Sequence, residues 1–216
     1  MPSLRKVTME TSLDYVTDLE GSLETREAQA SARLEFARGG FWSNDYNRDY
    51  ERLKVPFEIS KGVFIPAGGY EFQNVRSEYY MGPQRLSGRF FGSRGSFYNG
   101  SRTEAGFNGR VDMTAQFSVE PRVTINWIDL PVGRFTTKLV SSRVNFTMST
   151  RMATSALLQY NSSNNALSSN VRFRWEYQPG SDLFVVYSDG RDTVGTGFPR
   201  LQNRSFVVKL TRLFRF

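Results

Sequence analysis

The chain has 216 residues, enough for one sizeable domain, and contains neither cysteine nor histidine. Disulfides, thiolate or imidazole metal sites, and Ser–His–Asp or Cys–His catalysis are therefore excluded. Lys and Arg number 28 against 21 Asp and Glu, a net charge of +7, which suits contact with anions or arginines lining a hydrated interior.

Aromatic residues make up 14% of the chain, yet hydrophobic residues reach only 39% and the mean hydropathy is −0.45. Abundant aromatics in a hydrophilic chain fit a barrel wall, where apolar residues alternate with polar ones, better than a soluble core. No run approaches the ~18–20 apolar residues of a transmembrane helix. A membrane crossing by this chain would use strands closed into a barrel, so that every backbone group finds a partner.

The first residues, Met1 to Lys6, are followed by no apolar h-region, so no secretory signal is read. An exported barrel is then expected to have lost its signal or to be the C-terminal part of a longer protein, with residues 1–216 as a single barrel domain. Period-two alternation starts at once. Val7, Met9, Thr11, Leu13 and Tyr15 oppose Lys6, Thr8, Glu10, Ser12 and Asp14. After a Glu20-Gly21 turn, Ala28, Ala30, Ala32, Leu34 and Phe36 oppose Glu27, Gln29, Ser31, Arg33 and Glu35. Arg38-Gly39-Gly40 turns the chain again, and Trp42, Tyr46 and Tyr50 mark a third strand.

Residues 54–69, with Pro56, Pro66 and Gly68-Gly69, read as a long loop. Further strands are predicted at about 70–81, 86–98, 103–118, 122–130, 134–147, 152–160, 168–177, 182–188 and 201–216. Short connections separate them: Gly82-Pro83, Asn99-Gly100, Glu120-Pro121, Pro131 to Gly133, Thr147 to Arg151, Asn161 to Asn165 and Pro179-Gly180. The exception is the glycine-rich stretch 189–200. That gives about twelve meandering strands, and the two longest connections, 54–69 and 189–200, fall at the same end. Long outer loops and short inner turns are the asymmetry of outer-membrane barrels.

In 171–177, Val171, Phe173, Trp175 and Tyr177 point one way and Arg172, Arg174 and Glu176 the other. Three charges inside a sandwich core would cost several kcal/mol, whereas a hydrated lumen tolerates them. The last strand repeats the pattern. Phe206, Val208, Leu210, Phe214 and Phe216 form a lipid face interrupted by Arg212, and Lys209 and Arg215 lie on the opposite face. The first set is expected to form the membrane-insertion strand. Arg172, Arg174, Lys209 and Arg215 are expected to make a basic lumen that favours anions if it conducts.

Other chemistry is weaker in the sequence. Asp182, Asp189 and Asp192, with Glu176 before them, cluster along the chain. Carboxylates ~5–10 Å apart hydrolyse glycosides, and clustered oxygens bind Ca²⁺. Yet Asp189-Gly190 reads as a turn and Asp182 as the opening of a strand. The Arg and aromatic mix at 89–98 reads as barrel wall rather than a nucleic-acid platform.

Several longer stretches carry a family resemblance: Arg94 to Tyr98, Asn126 to Pro131, Gln159 to Ser163, Arg172 to Tyr187, Leu201 to Phe206 and Leu213 to Phe216. Together they resemble the C-terminal barrel domain of the bacterial domain-of-unknown-function 5916 family, whose members have an N-terminal domain similar to family-nine carbohydrate-binding modules. The resemblance is strongest over about 55–216. It implies a membrane barrel preceded by a glycan-recognition domain outside this chain, so no carbohydrate-binding residue is carried over.

The expectation is thus an all-β, antiparallel transmembrane β-barrel of the bacterial outer membrane, complete with about twelve strands or part of a larger barrel. It would serve as anchor or pore for a larger protein, with no catalytic residue, metal or cofactor. Its partners would be outer-membrane lipid, the barrel-assembly machinery and, through the upstream domain, glycans, but not nucleic acid. A hydrolase using loop carboxylates and a soluble glycan-binding β-sandwich are the alternatives.

Overall fold

The computed structural model describes residues 3–60, 62–195 and 197–214. Among them the regular structure is all strand: β1 (Leu4–Thr17), β2 (Leu23–Phe36), β3 (Phe41–Leu53), β4 (Phe57–Ser60), β5 (Val63–Ile65), β6 (Gly68–Tyr80), β7 (Leu86–Phe97), β8 (Gly100–Asp112), β9 (Phe117–Leu130), β10 (Gly133–Ser149), β11 (Met152–Asn161), β12 (Ala166–Gln178), β13 (Ser181–Asp192) and β14 (Arg200–Leu210). Twelve of these form one sheet in chain order, from β1 through β3, then β6 through β14, while β4 and β5 make a separate two-stranded sheet. No helix among the described residues is long and apolar enough to cross a membrane.

The chain divides into two compact units, Met1–Phe107 with Thr124–Thr137, and Asn108–Val123 with Lys138–Phe216. In the first unit, alternation within each strand and register between strands give two chemically distinct faces. Val7 pairs Leu34, Leu34 pairs Trp42, Trp42 pairs Tyr79 and Tyr79 pairs Phe90, a continuous apolar row. The opposite face holds Glu10 against Ser31 against Asp45 against Arg76.

The second unit repeats the arrangement. Phe146, Thr154, Phe173, Val185 and Val208 stand in one cross-strand row. Asn145, Ser155, Arg172, Val186 and Val207 stand in a row on the other face. Each row is a series of cross-strand neighbours, the contact unit that fixes register.

Asp189-Gly190, read as a turn, lies inside β13, and three further sequence expectations need correction. Residues 54–69 are not an unstructured loop but carry the β4–β5 hairpin. The connection expected at Glu120-Pro121 lies instead at 113–116, and Pro121 sits inside β9. There the Thr114 hydroxyl oxygen accepts from the N–H of Gln116 at 3.2 Å and of Phe117 at 3.0 Å, and Met113 N–H donates to the Phe117 carbonyl. A threonine side-chain turn is a weaker sequence signal than a proline, which is why proline attracted the boundary.

The last strand was expected to run to residue 216, but β14 ends at Leu210. Thr211 still exchanges backbone bonds with Asp182, at 2.8 and 3.2 Å. Beyond it, Leu213 N–H donates to the Ser181 hydroxyl oxygen at 3.0 Å, and the Tyr177 hydroxyl donates to the Thr211 carbonyl at 3.0 Å. Side chains of the β12–β13 corner thus take over from the ladder, and Phe214 is exposed beyond the strand.

Candidate functional site

The polar face and the hairpin that packs on it form the candidate site. In the first unit, Ile65, Tyr70 and Leu130 are buried together, and Ile59 and Val63 of the hairpin, with Phe72, Phe97 and Ile128 of the sheet, pack against them. Alternation puts Tyr70 and Phe72 on the same face of β6 as Asn74 and Arg76. The hairpin is therefore folded onto the polar face, at the end of the sheet where β3 connects to β6. The Tyr70 hydroxyl donates to the Pro66 carbonyl at 2.8 Å. Tyr98, at the β7–β8 corner with φ of 50°, closes edge-on against Tyr70 at 5.0 Å and Phe72 at 5.2 Å.

Next to this cluster lies a cavity of about 530 Å³ lined by Glu27, Asp49, Glu51, Phe72, Tyr98 and Arg102, among others. Its carboxylates belong to a wider pattern. Asp14, Glu27 and Asp49 stand directly opposite one another across β1, β2 and β3. Like charges so placed repel, and among the described residues none of the three has an ion-pair partner. Farther along the same face the charges compensate. Arg76 meets Glu104 at 2.9 Å and Glu78 at 3.7 Å, and Arg89 meets Glu78 at 3.2 Å. Burial, followed by the charge of Glu51, holds the Tyr98 phenol above its ordinary range.

In the second unit the polar face has the opposite sign. Register puts Arg172 on one face with Asn145 and Ser155, and Arg174 and Lys209 on that same face through Phe184. The expected basic residues Arg172, Arg174 and Lys209 are therefore brought together. Arg174 pairs with Asp182 at 2.9 Å, whereas among the described residues Arg172 and Lys209 have no ion-pair partner. Phe206, Val208 and Leu210 share the other face with Tyr187, Val185 and Leu183. Phe214 lies off the strand, and Phe216 and Arg215 lie outside the described residues.

Of the carboxylates weighed for hydrolysis, Glu176 and Asp182 stand opposite one another across β12 and β13, but Asp182 is paired with Arg174 and Glu176 accepts from Gly180 N–H. Asp182 and Asp189 have opposite parity on β13 and so lie on opposite faces, about 23 Å apart along the strand. Asp189 accepts from the Ser169 hydroxyl at 2.6 Å and pairs with Arg191 at 3.0 Å. Asp192 caps the following turn through Val194 N–H. Among the described residues no group of three or more Asp or Glu is arranged to hold a metal ion.

Sequence reasoning missed the hairpin's role. The signal was present in Phe57 to Ile65, an alternating apolar run folded about Gly62, whose φ of 78° suits the turn. The prolines at its two ends disguised it as a loop.

No family model and no curated protein matches the sequence. Among solved structures, the chain is similar at 14% identity to the NanC porin in a rhombohedral crystal form, over 95% of this chain and 96% of that chain, with a TM-score of 0.38.

Proposed function

We propose that the chain is an antiparallel transmembrane β-barrel of the bacterial outer membrane, acting as the anchor or pore of a larger, glycan-associated protein and not as an enzyme. One observation carries this reading. Among the described residues only Phe41, Ile65, Tyr70 and Leu130 are buried apolar side chains, while Met9 is 78% exposed, Leu13 and Phe206 67% and Leu210 66%. A soluble chain of this length buries a large core and rarely leaves a contiguous apolar face open. Lipid is the solvent that such a face suits.

On this reading the apolar face meets acyl chains and the polar face lines a hydrated lumen. The β4–β5 hairpin, anchored by Ile65 and Tyr70, lies across that lumen and narrows it. Arg172, Arg174 and Lys209 supply positive charge along the path, and the carboxylate row of Asp14, Glu27 and Asp49 supplies negative charge. Phe206, Val208, Leu210, Phe214 and Phe216 form the terminal segment read by the barrel-assembly machinery. Glycan association rests on the family resemblance and belongs to a domain outside this chain.

The test is gel mobility of detergent-refolded protein, boiled against unboiled, with far-ultraviolet circular dichroism alongside. A heat-dependent shift with β-rich dichroism is expected. A monodisperse β-rich protein in plain buffer, with no shift, would overturn the membrane reading.

A further inference from the structure

We infer that the apolar face of the Met1–Phe107 unit carries a binding site for a phosphorylated lipid of the surrounding leaflet, with Arg26 and Arg48 holding the phosphate and a groove over Ala30 taking an acyl chain. This rests on the membrane reading above. Register lays out the site in successive rows of one face: Thr11, Ala30, Tyr46 and Val75; then Leu13, Ala28, Arg48 and Gln73; then Tyr15, Arg26, Tyr50 and Glu71. The chemistry changes along it from apolar, through small, to basic with tyrosines.

The groove is an open, mostly apolar depression in the sheet surface. Between Met9 on one side and Tyr46 and Val75 on the other, the short side chains of Ala30 and Ala32 leave about 320 Å³. The row of Arg48 lies about 7 Å farther along the strands and that of Arg26 about 13 Å. An acyl chain lying in the groove would therefore bring its headgroup to the two arginines.

The arginines are held in place for such a ligand. Arg26 Nη2 meets Glu71 Oε1 at 3.1 Å and Arg48 Nη2 meets Glu71 Oε2 at 3.2 Å. One carboxylate thus draws two guanidiniums together on the surface that faces lipid. Each guanidinium has five N–H donors, so most remain available, and the group stays net positive. Planar, weakly hydrated guanidinium forks suit phosphate oxygens. Exposed Arg94, opposite Val75 at the edge of the groove row, is a further cation on the same face, one row short of Arg48. The arginines sit toward the end of the sheet that bears the β3–β6 connection, the end proposed to face outward. The occupant is accordingly a phosphorylated lipid of the outer leaflet, with bisphosphorylated lipid A as its probe.

The experiment is native mass spectrometry of the detergent-refolded full chain with three added lipids: bisphosphorylated lipid A, its dephosphorylated form and phosphatidylcholine. Retention of bisphosphorylated lipid A above both others is expected, falling about tenfold in the double variant Arg26→Gln/Arg48→Gln. Glu71→Gln should raise it, because it removes the competing anion. Equal retention of the phosphorylated and dephosphorylated lipids, or no change in the double variant, overturns the site. If the double variant does not refold, Glu71→Gln and Ala30→Phe decide: unchanged retention in both overturns it. Protein that shows the heat-dependent gel shift but no phosphate preference sinks this site alone, whereas protein that never enters detergent or liposomes sinks the membrane reading itself.

Discussion

Tyr70 and Ile65 stand five residues apart and close the same knot: the tyrosine hydroxyl donates to the Pro66 carbonyl at 2.8 Å, and both side chains are buried against Leu130. This is where the hairpin is fastened to the polar face. Tyr70→Phe should weaken it by about 1 kcal/mol, the net worth of a neutral hydrogen bond. Ile65→Ala should cost about 2–4 kcal/mol because it leaves a cavity. In planar bilayers both variants should show larger or noisier single-channel conductance, Ile65→Ala more so. Conductance equal to that of the parent protein would mean the hairpin does not lie across the path.

Gly180 offers a second, purely steric test. Its φ is 76°, and a Cβ placed there would come within 2.7 Å of Leu213 Cδ2. Gly180→Ala therefore combines backbone strain of about 1 kcal/mol with a forced shift of the Leu213 side chain in the tail that follows β14. The temperature at which the folded gel band disappears should drop. Gly195→Ala, where nothing lies within 4 Å of the new methyl, should leave it unchanged. Equal melting of the two variants would show that the tail contributes nothing to the sheet's integrity.

The same corner marks the limit of what the sequence discloses. Strands such as β2 and β12 were legible because Ala28 to Phe36 and Val171 to Tyr177 alternate without interruption, and alternation is the direct consequence of the pleat. The sharing of one face by Arg172, Arg174 and Lys209 followed from the same parity once register was fixed. The end of β14 was not legible: Arg212 interrupts the lipid face, but the capture of the following backbone by Tyr177 and Ser181 exists only across the β12–β13 corner. Pro121 misled for the opposite reason: local propensity pointed to a turn, and the sheet overrode it. The carboxylate row of Asp14, Glu27 and Asp49 was hidden because it exists only across three strands.

That row and the arginines of the second unit give opposing predictions for ion selectivity. Arg172→Glu with Lys209→Glu should move the reversal potential toward cation preference in a salt gradient. Glu27→Gln with Asp49→Asn should move it toward anions. These residues are chosen because among the described residues none has an ion-pair partner, so substitution changes charge without stranding a mate. Reversal potentials unaffected by either pair would place both sets off the permeation path.

Tyr98 supplies an alkaline signature, and the sign follows from its surroundings. Burial and then the negative charge of Glu51 disfavour the phenolate, so the folded-state pKa lies above the ordinary value near 10. The unfolded chain therefore releases this proton first. The contribution of Tyr98 to stability is fully present below the unfolded pKa and is lost as pH rises through the raised folded one. Its ring closes on Tyr70 and Phe72, so ionisation loosens the same knot that fastens the hairpin. Urea midpoints of refolded protein should hold steady to about pH 10 and then decline. In Tyr98→Phe the decline should be shallower, because the group that titrates is gone while the ring remains. A variant that loses stability above pH 10 as steeply as the parent would assign the effect to other tyrosines and remove Tyr98 as the latch.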